Sequence, residues 1–239
     1  MVVGPAYFFI ATENDSAFVV LAALSSMNAM TATLVFTSIY LVVSHRVSLW
    51  LSLLLSSLGW LASIAFLLRN VESGVVSTLL FASAFAAAKW LSRRIRMDMP
   101  RQNTRNGGLD ILWRAAAAGI LVGIGTGLVS YTGPSLSGAI VGFPIGMTTI
   151  LITLHRRHGH AVARATIAAA QTGMLSIFSF LLVLAFFPDA FETEFAFALA
   201  VSTALLTTSF SCSLTVTPFL PPWAKARNRT GGRHAFRST

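Results

Sequence analysis

Cysteine and acid are scarce in this chain. The one cysteine, Cys212, lies in an apolar run, which excludes an intrachain disulfide. No Cys/His spacing of the zinc-binding kind occurs, so no metal site is expected. Eight Asp and Glu stand against 17 Lys and Arg. None of these charged residues falls at the centre of an expected helix. Intramembrane carboxylates are the usual proton and sodium relays, so their absence argues against a carboxylate-driven antiporter. It also argues against hydrolysis, which normally needs an acid, a base or an activated nucleophile. We therefore expect no enzyme and no cofactor. Strand-like polar–apolar alternation is missing, which argues against a barrel. The N-terminus has neither the basic region nor the small-residue cleavage site of a signal peptide.

What is present is apolar sequence in long runs. Hydrophobic residues make up 55% of the 239 residues, and charged ones 10%. A spanning helix needs about 20 predominantly apolar residues. Seven stretches qualify: Ala17–Val43, Leu49–Leu68, Val75–Leu91, Ile111–Ser130, Ser137–Leu154, Ala163–Phe187 and Phe195–Val216. The expected fold class is an all-α, polytopic membrane protein of seven transmembrane helices.

Charge orients these helices. Of the 17 Lys and Arg, 16 fall in alternate gaps or at the bordering helix ends, and Arg69 is the exception. The loop after the third stretch carries Arg93, Arg94, Arg96, Arg101 and Arg105, with Lys89 just before it. The positive-inside rule makes that loop cytoplasmic, together with the His45-Arg46 turn, the His155–His160 turn and the C-terminal tail. Glu13, Asp15, Glu72, Asp189, Glu192 and Glu194 fall on the other side. The N-terminus is then out and the C-terminus in. Trp50, Trp90, Trp113 and Trp223 lie near the cytoplasmic boundaries, as interfacial anchors do. A net charge of +9 would suit nucleic acid. Because the basic residues border apolar runs, we expect membrane lipids as partners and no nucleic acid. Pro218, Pro221 and Pro222 stop the last helix and begin a basic tail.

An internal repeat is expected. His45-Arg46 and His155-Arg156 each close an apolar helix on one side. Gly59, Leu61, Phe66, Leu67 and Leu68 match Gly173, Leu175, Phe180, Leu181 and Leu182 at one shared offset. Helices one to three would then correspond to helices five to seven in a parallel repeat of three plus four. The units are 1–91 and 109–217, separated by a basic loop at 92–108 and followed by a tail at 218–239.

The interior residues able to carry function are few. Gly119, Gly123 and Gly127 share one face of helix four and suit close helix packing. Pro144, flanked by Gly142 and Gly146, is expected inside helix five, where it removes a backbone hydrogen bond. A broken helix at membrane depth is tolerated where it is buried in protein or lines a cavity. Arg164 and Gln171 share a face of helix six. Arg156, Arg157 and Arg164 would form a basic mouth able to hold an anion. Topology alone also predicts basic residues there. His155 and His45 are the two histidines with repeat partners, and so the two to weigh for pH sensing.

The stretch Ser137-Gly138-Ala139-Ile140-Val141-Gly142-Phe143-Pro144, then Gly159, then Arg164-Ala165-Thr166-Ile167, resembles the GlpM family of small bacterial inner-membrane proteins. The chain has Leu151 where the family pattern has a histidine, and carries His155 one turn later. The likeness covers helices four to seven. It implies a four-helix unit in the bacterial inner membrane and an association with cell-envelope and glycerol-phosphate-related metabolism, without an assigned reaction.

These readings converge on a transporter or flippase for an anionic metabolite or a phosphorylated or lipid-linked envelope precursor. Its substrate would contact Pro144, Gly142, Gln171, Arg164, Arg156, Arg157, His155 and His45. The alternative is a non-catalytic accessory subunit of an envelope-synthesis complex, docking through the Gly119/Gly123/Gly127 face. Self-association or a partner subunit is a further expectation.

Overall fold

The computed structural model describes residues 7, 16–71, 73–95, 143–186 and 193–216. Among these the regular structure is helical throughout. Five helices follow in order: α1 Ser16–Val43, α2 Leu49–Asn70, α3 Gly74–Arg94, α4 Ile145–Phe186 and α5 Thr193–Val216. Four of them, α1 to α4, are long and apolar enough to cross a membrane, and α5 contributes the apolar stretch Ala198–Phe210. In hydrocarbon the helix is favoured because it satisfies its own backbone hydrogen bonds.

α1 is the central helix. In its most apolar window 72% of residues are buried, against 33% in α2 and 17% in α3. A helix that is apolar all round belongs in the middle of a bundle. Ala22, Ala23, Ala29 and Ala32 are fully buried along it and let neighbours approach closely. α2 buries one stripe, Leu53, Ser56, Trp60, Ile64 and Leu67. It turns Leu51, Leu54, Leu58, Leu61 and Phe66 outward. Those exposed leucines fit lipid tails, which cost an apolar surface nothing.

Polar groups on α1 join the helices. Trp60 Nε1 donates to Thr33 Oγ1 at 3.1 Å. Asn28 Nδ2 donates to the Val71 carbonyl at 3.2 Å, and its Oδ1 accepts from Ser77 Oγ at 2.8 Å. One amide thus ties the end of α2 and the start of α3 to α1. At that same end Gly74 lies so close to Phe186 and Leu24 that a Cβ would come within 2.9–3.0 Å of them.

α4 is a hairpin. Gly159 has φ 80° and ψ 173°, which breaks the helix into arms 145–158 and 160–186. Contacts show the reversal. Phe143 stacks edge-on against Trp60, level with Thr33 midway along α1. His155 meets Tyr40 near the end of α1. The chain then returns: Gln171 bonds Thr37, Phe178 stacks on Phe81, and Phe180 lies against Tyr7, itself bonded to Ser26. The first arm therefore runs along α1 and the second runs back. α5 packs on the second arm through Ser176, which donates to the Ala204 carbonyl at 3.0 Å and accepts from Thr208 at 2.8 Å.

Three expectations change. The seven-span count is not reproduced among the described residues: helix four, 111–130, lies outside them, while helices five and six are the two arms of α4, joined at Gly159. Pro144 is not inside a helix. It directly precedes Ile145, and its carbonyl accepts the Thr148 N–H at 2.9 Å. That is where a residue without an N–H does no harm, because the first turn has no intrahelical partners for its donors. The repeat gains no support. Gly59 faces Ile39 too closely for a Cβ, whereas a Cβ at Gly173 meets nothing within 4 Å. The matched glycines therefore do different work.

Candidate functional site

The hairpin turn of α4 meets the end of α1. Tyr40 is fully buried on α1, and its hydroxyl hydrogen-bonds to His155 Nδ1 at 2.8 Å, with the donor set by the histidine tautomer. Arg164, on the returning arm, is half-buried and within electrostatic reach of the same phenol. Its Nε is buried and finds no hydrogen-bond partner among the described residues. Seven residues deeper, Gln171 is fully buried; its Nε2 donates to Thr37 Oγ1 at 3.1 Å, while its Oε1 has no partner. Arg164 and Gln171 thus both face α1, as their spacing requires.

The turn itself is exposed and basic. Arg156, Arg157, His158 and His160 are all exposed. Arg156 lies over the Trp50 ring at 5.6 Å, and Arg94 over Trp90 at 4.9 Å. Exposed tryptophans stacked with arginines fit the headgroup level of a bilayer. His45 is exposed in the turn after α1 and accepts from Arg46 Nε at 3.2 Å. Arg164, His155 and Gln171 are thus gathered on α1. Arg156 is placed on α2, and His45 binds its own neighbour. Pro144 is buried at the start of α4. Gly142 and the Gly119, Gly123 and Gly127 face lie outside the described residues.

Leu151 is 1% exposed in a core with Phe36, Leu53, Trp60 and Ile167. A histidine would be poorly tolerated there, and His155, one turn on, takes the polar position against Tyr40. Sequence reasoning missed Tyr40, Thr37, Ser44 and Lys89. Lys89 Nζ turns back from the end of α3 to the Ala168 carbonyl and to Thr172 Oγ1 on α4. The signal available was Thr37, Tyr40 and Ser44 recurring at helical spacing on an otherwise apolar helix.

No carboxylate stands among the described side chains, so the cations of this end face no acidic partner there. The arrangement is a half-buried guanidinium, a tyrosine–histidine pair and an exposed basic rim. A guanidinium beside a basic rim suits an anion. No family model, curated protein or solved structure matches this chain.

Proposed function

We propose that the protein is a seven-span protein of the bacterial inner membrane, N-terminus out and C-terminus in, that transports or flips an anionic substrate. The substrate would be a small metabolite or a phosphorylated, lipid-linked envelope precursor. The resemblance of Ser137–Ile167 to the GlpM family belongs to the same reading. One observation carries it: Arg164 is half-buried beside Tyr40 with its Nε unpartnered, and no carboxylate stands among the described side chains. A guanidinium in such a place stays charged and needs an anion. A second feature supports it. α4 starts at Pro144, beside a phenylalanine that packs against the middle of α2. Helices that begin at membrane depth are used by transporters to meet substrate, with the positive helix end toward an anion.

The test is flux of an anionic lipid or solute through proteoliposomes. Arg164→Ala combined with Pro144→Ala is expected to abolish it, and unchanged flux rejects the site. A stoichiometric partner that is lost on Gly123→Leu would favour the accessory-subunit reading instead.

A further inference from the structure

We infer that Arg164 and Ser44 seat a phosphate oxyanion at the end of α1, one turn beyond the Tyr40 that pairs with His155. This deepens the proposed function by naming the chemical class, and takes from it only the sign of the substrate.

Two buried donors point to the seat. Arg164 Nε and Ser44 Oγ are both buried without a partner among the described residues. Ser44 is only 2% exposed. A buried donor left unpaired is costly, so such groups usually mark something that binds. The two belong to one place. The Ser44 N–H donates to the Tyr40 carbonyl at 3.0 Å, which keeps helical spacing and puts Ser44 on the Tyr40 side of α1. Gln171 bonds Thr37, and the second arm of α4 runs opposite to α1, so Arg164, seven residues before Gln171, faces the level of Ser44, seven residues after Thr37. The third orphan, Gln171 Oε1, is an acceptor and so adds no donor to the seat.

Phosphate fits best for two reasons. A guanidinium matches its geometry, and a hydroxyl completes the contact. His155, the partner of Tyr40, is followed by Arg156, which stacks on Trp50 where headgroups are expected. The exposed Arg46, Arg156 and Arg157 raise the local anion concentration. The phosphate can come from a lipid headgroup or from a soluble phosphate compound.

The test is calorimetric titration of the full chain, purified in detergent, with inorganic phosphate and separately with short-chain phosphatidic acid. Saturable binding is expected for at least one of them. Binding by the lipid alone assigns the seat to headgroups, and binding by inorganic phosphate assigns it to a soluble source. Arg164→Gln should weaken binding by about tenfold or more, and Ser44→Ala by about threefold, in line with a charged and a neutral hydrogen bond. Arg164→Lys should fall between wild type and Arg164→Gln, which guards against a variant that merely misfolds. Arg69→Gln, at the far end of α2, should change nothing. No saturable binding of either probe, or wild-type affinity in Ser44→Ala, overturns the inference. Phosphate binding by wild type without any flux would instead reject the transport reading and leave the seat standing.

Discussion

Tyr40 and His155 stand 115 residues apart in the chain, yet the tyrosine hydroxyl lies 2.8 Å from the histidine Nδ1. That contact joins the end of the central helix to the turn of the α4 hairpin. Tyr40→Phe and His155→Ala should each destabilise the protein, and a double-mutant cycle should return a coupling of about 0.6–1.7 kcal/mol, the range for hydrogen bonds between membrane helices. Steric-trapping or mild-denaturant unfolding in bicelles would measure it. A coupling of zero would mean that the two side chains do not interact.

A side chain at Gly159 should be destabilising. Its φ of 80° lies in the left-handed region, although a Cβ would meet nothing within 4 Å. The cost of Gly159→Ala is therefore backbone strain alone, about 1–2 kcal/mol. Gly146, with open space and an ordinary helical φ, should gain about 0.5–1 kcal/mol as alanine. Unfolding of the two variants side by side separates strain from packing.

The boundaries of α1 to α3 were legible in the sequence to within three residues. Apolar runs there end on hard polar stops: Ser44-His45-Arg46, Arg69-Asn70 and Arg93-Arg94. α4 was read less well, because two signals compete in it. Pro144 inside an apolar run looks like a mid-helix kink, and only the bend at Phe143 shows that the helix starts after it. Gly159 amid polar residues looks like part of a loop, yet a single left-handed residue makes the reversal. The meeting of Tyr40 with His155 could not be read at all, since no periodicity links positions on different helices. Arg164 and Gln171 were legible as a shared face, but not which helix they face.

The repeat can be tested through its own glycines. Gly59→Ala should gain less stability than Gly173→Ala, because the end of the Ile39 side chain must first rotate away from the new methyl group. Gly173→Ala should stabilise by up to about 1 kcal/mol, as an unhindered helical glycine does. Equal effects at both positions would revive a structural correspondence between the two halves.

Asn28 should be the most sensitive of the buried amides. It bonds both the Val71 carbonyl and Ser77 Oγ. Asn28→Ala leaves both unpaired and should cost roughly 1–3 kcal/mol. Asn70→Ala, which loses an exposed bond to the Phe66 carbonyl, should cost much less. Thermal unfolding in one detergent gives the comparison.

The most direct measurement is the rate at which the purified protein, reconstituted in vesicles, moves a fluorescent anionic phospholipid or phosphorylated solute across the bilayer. Wild type should exceed protein-free vesicles, and Arg164→Gln should fall to the protein-free rate while Arg69→Gln stays at wild type. Equal rates in wild type and Arg164→Gln, or none above protein-free vesicles for any anionic substrate, would contradict the assignment of this end of the bundle as an anion pathway.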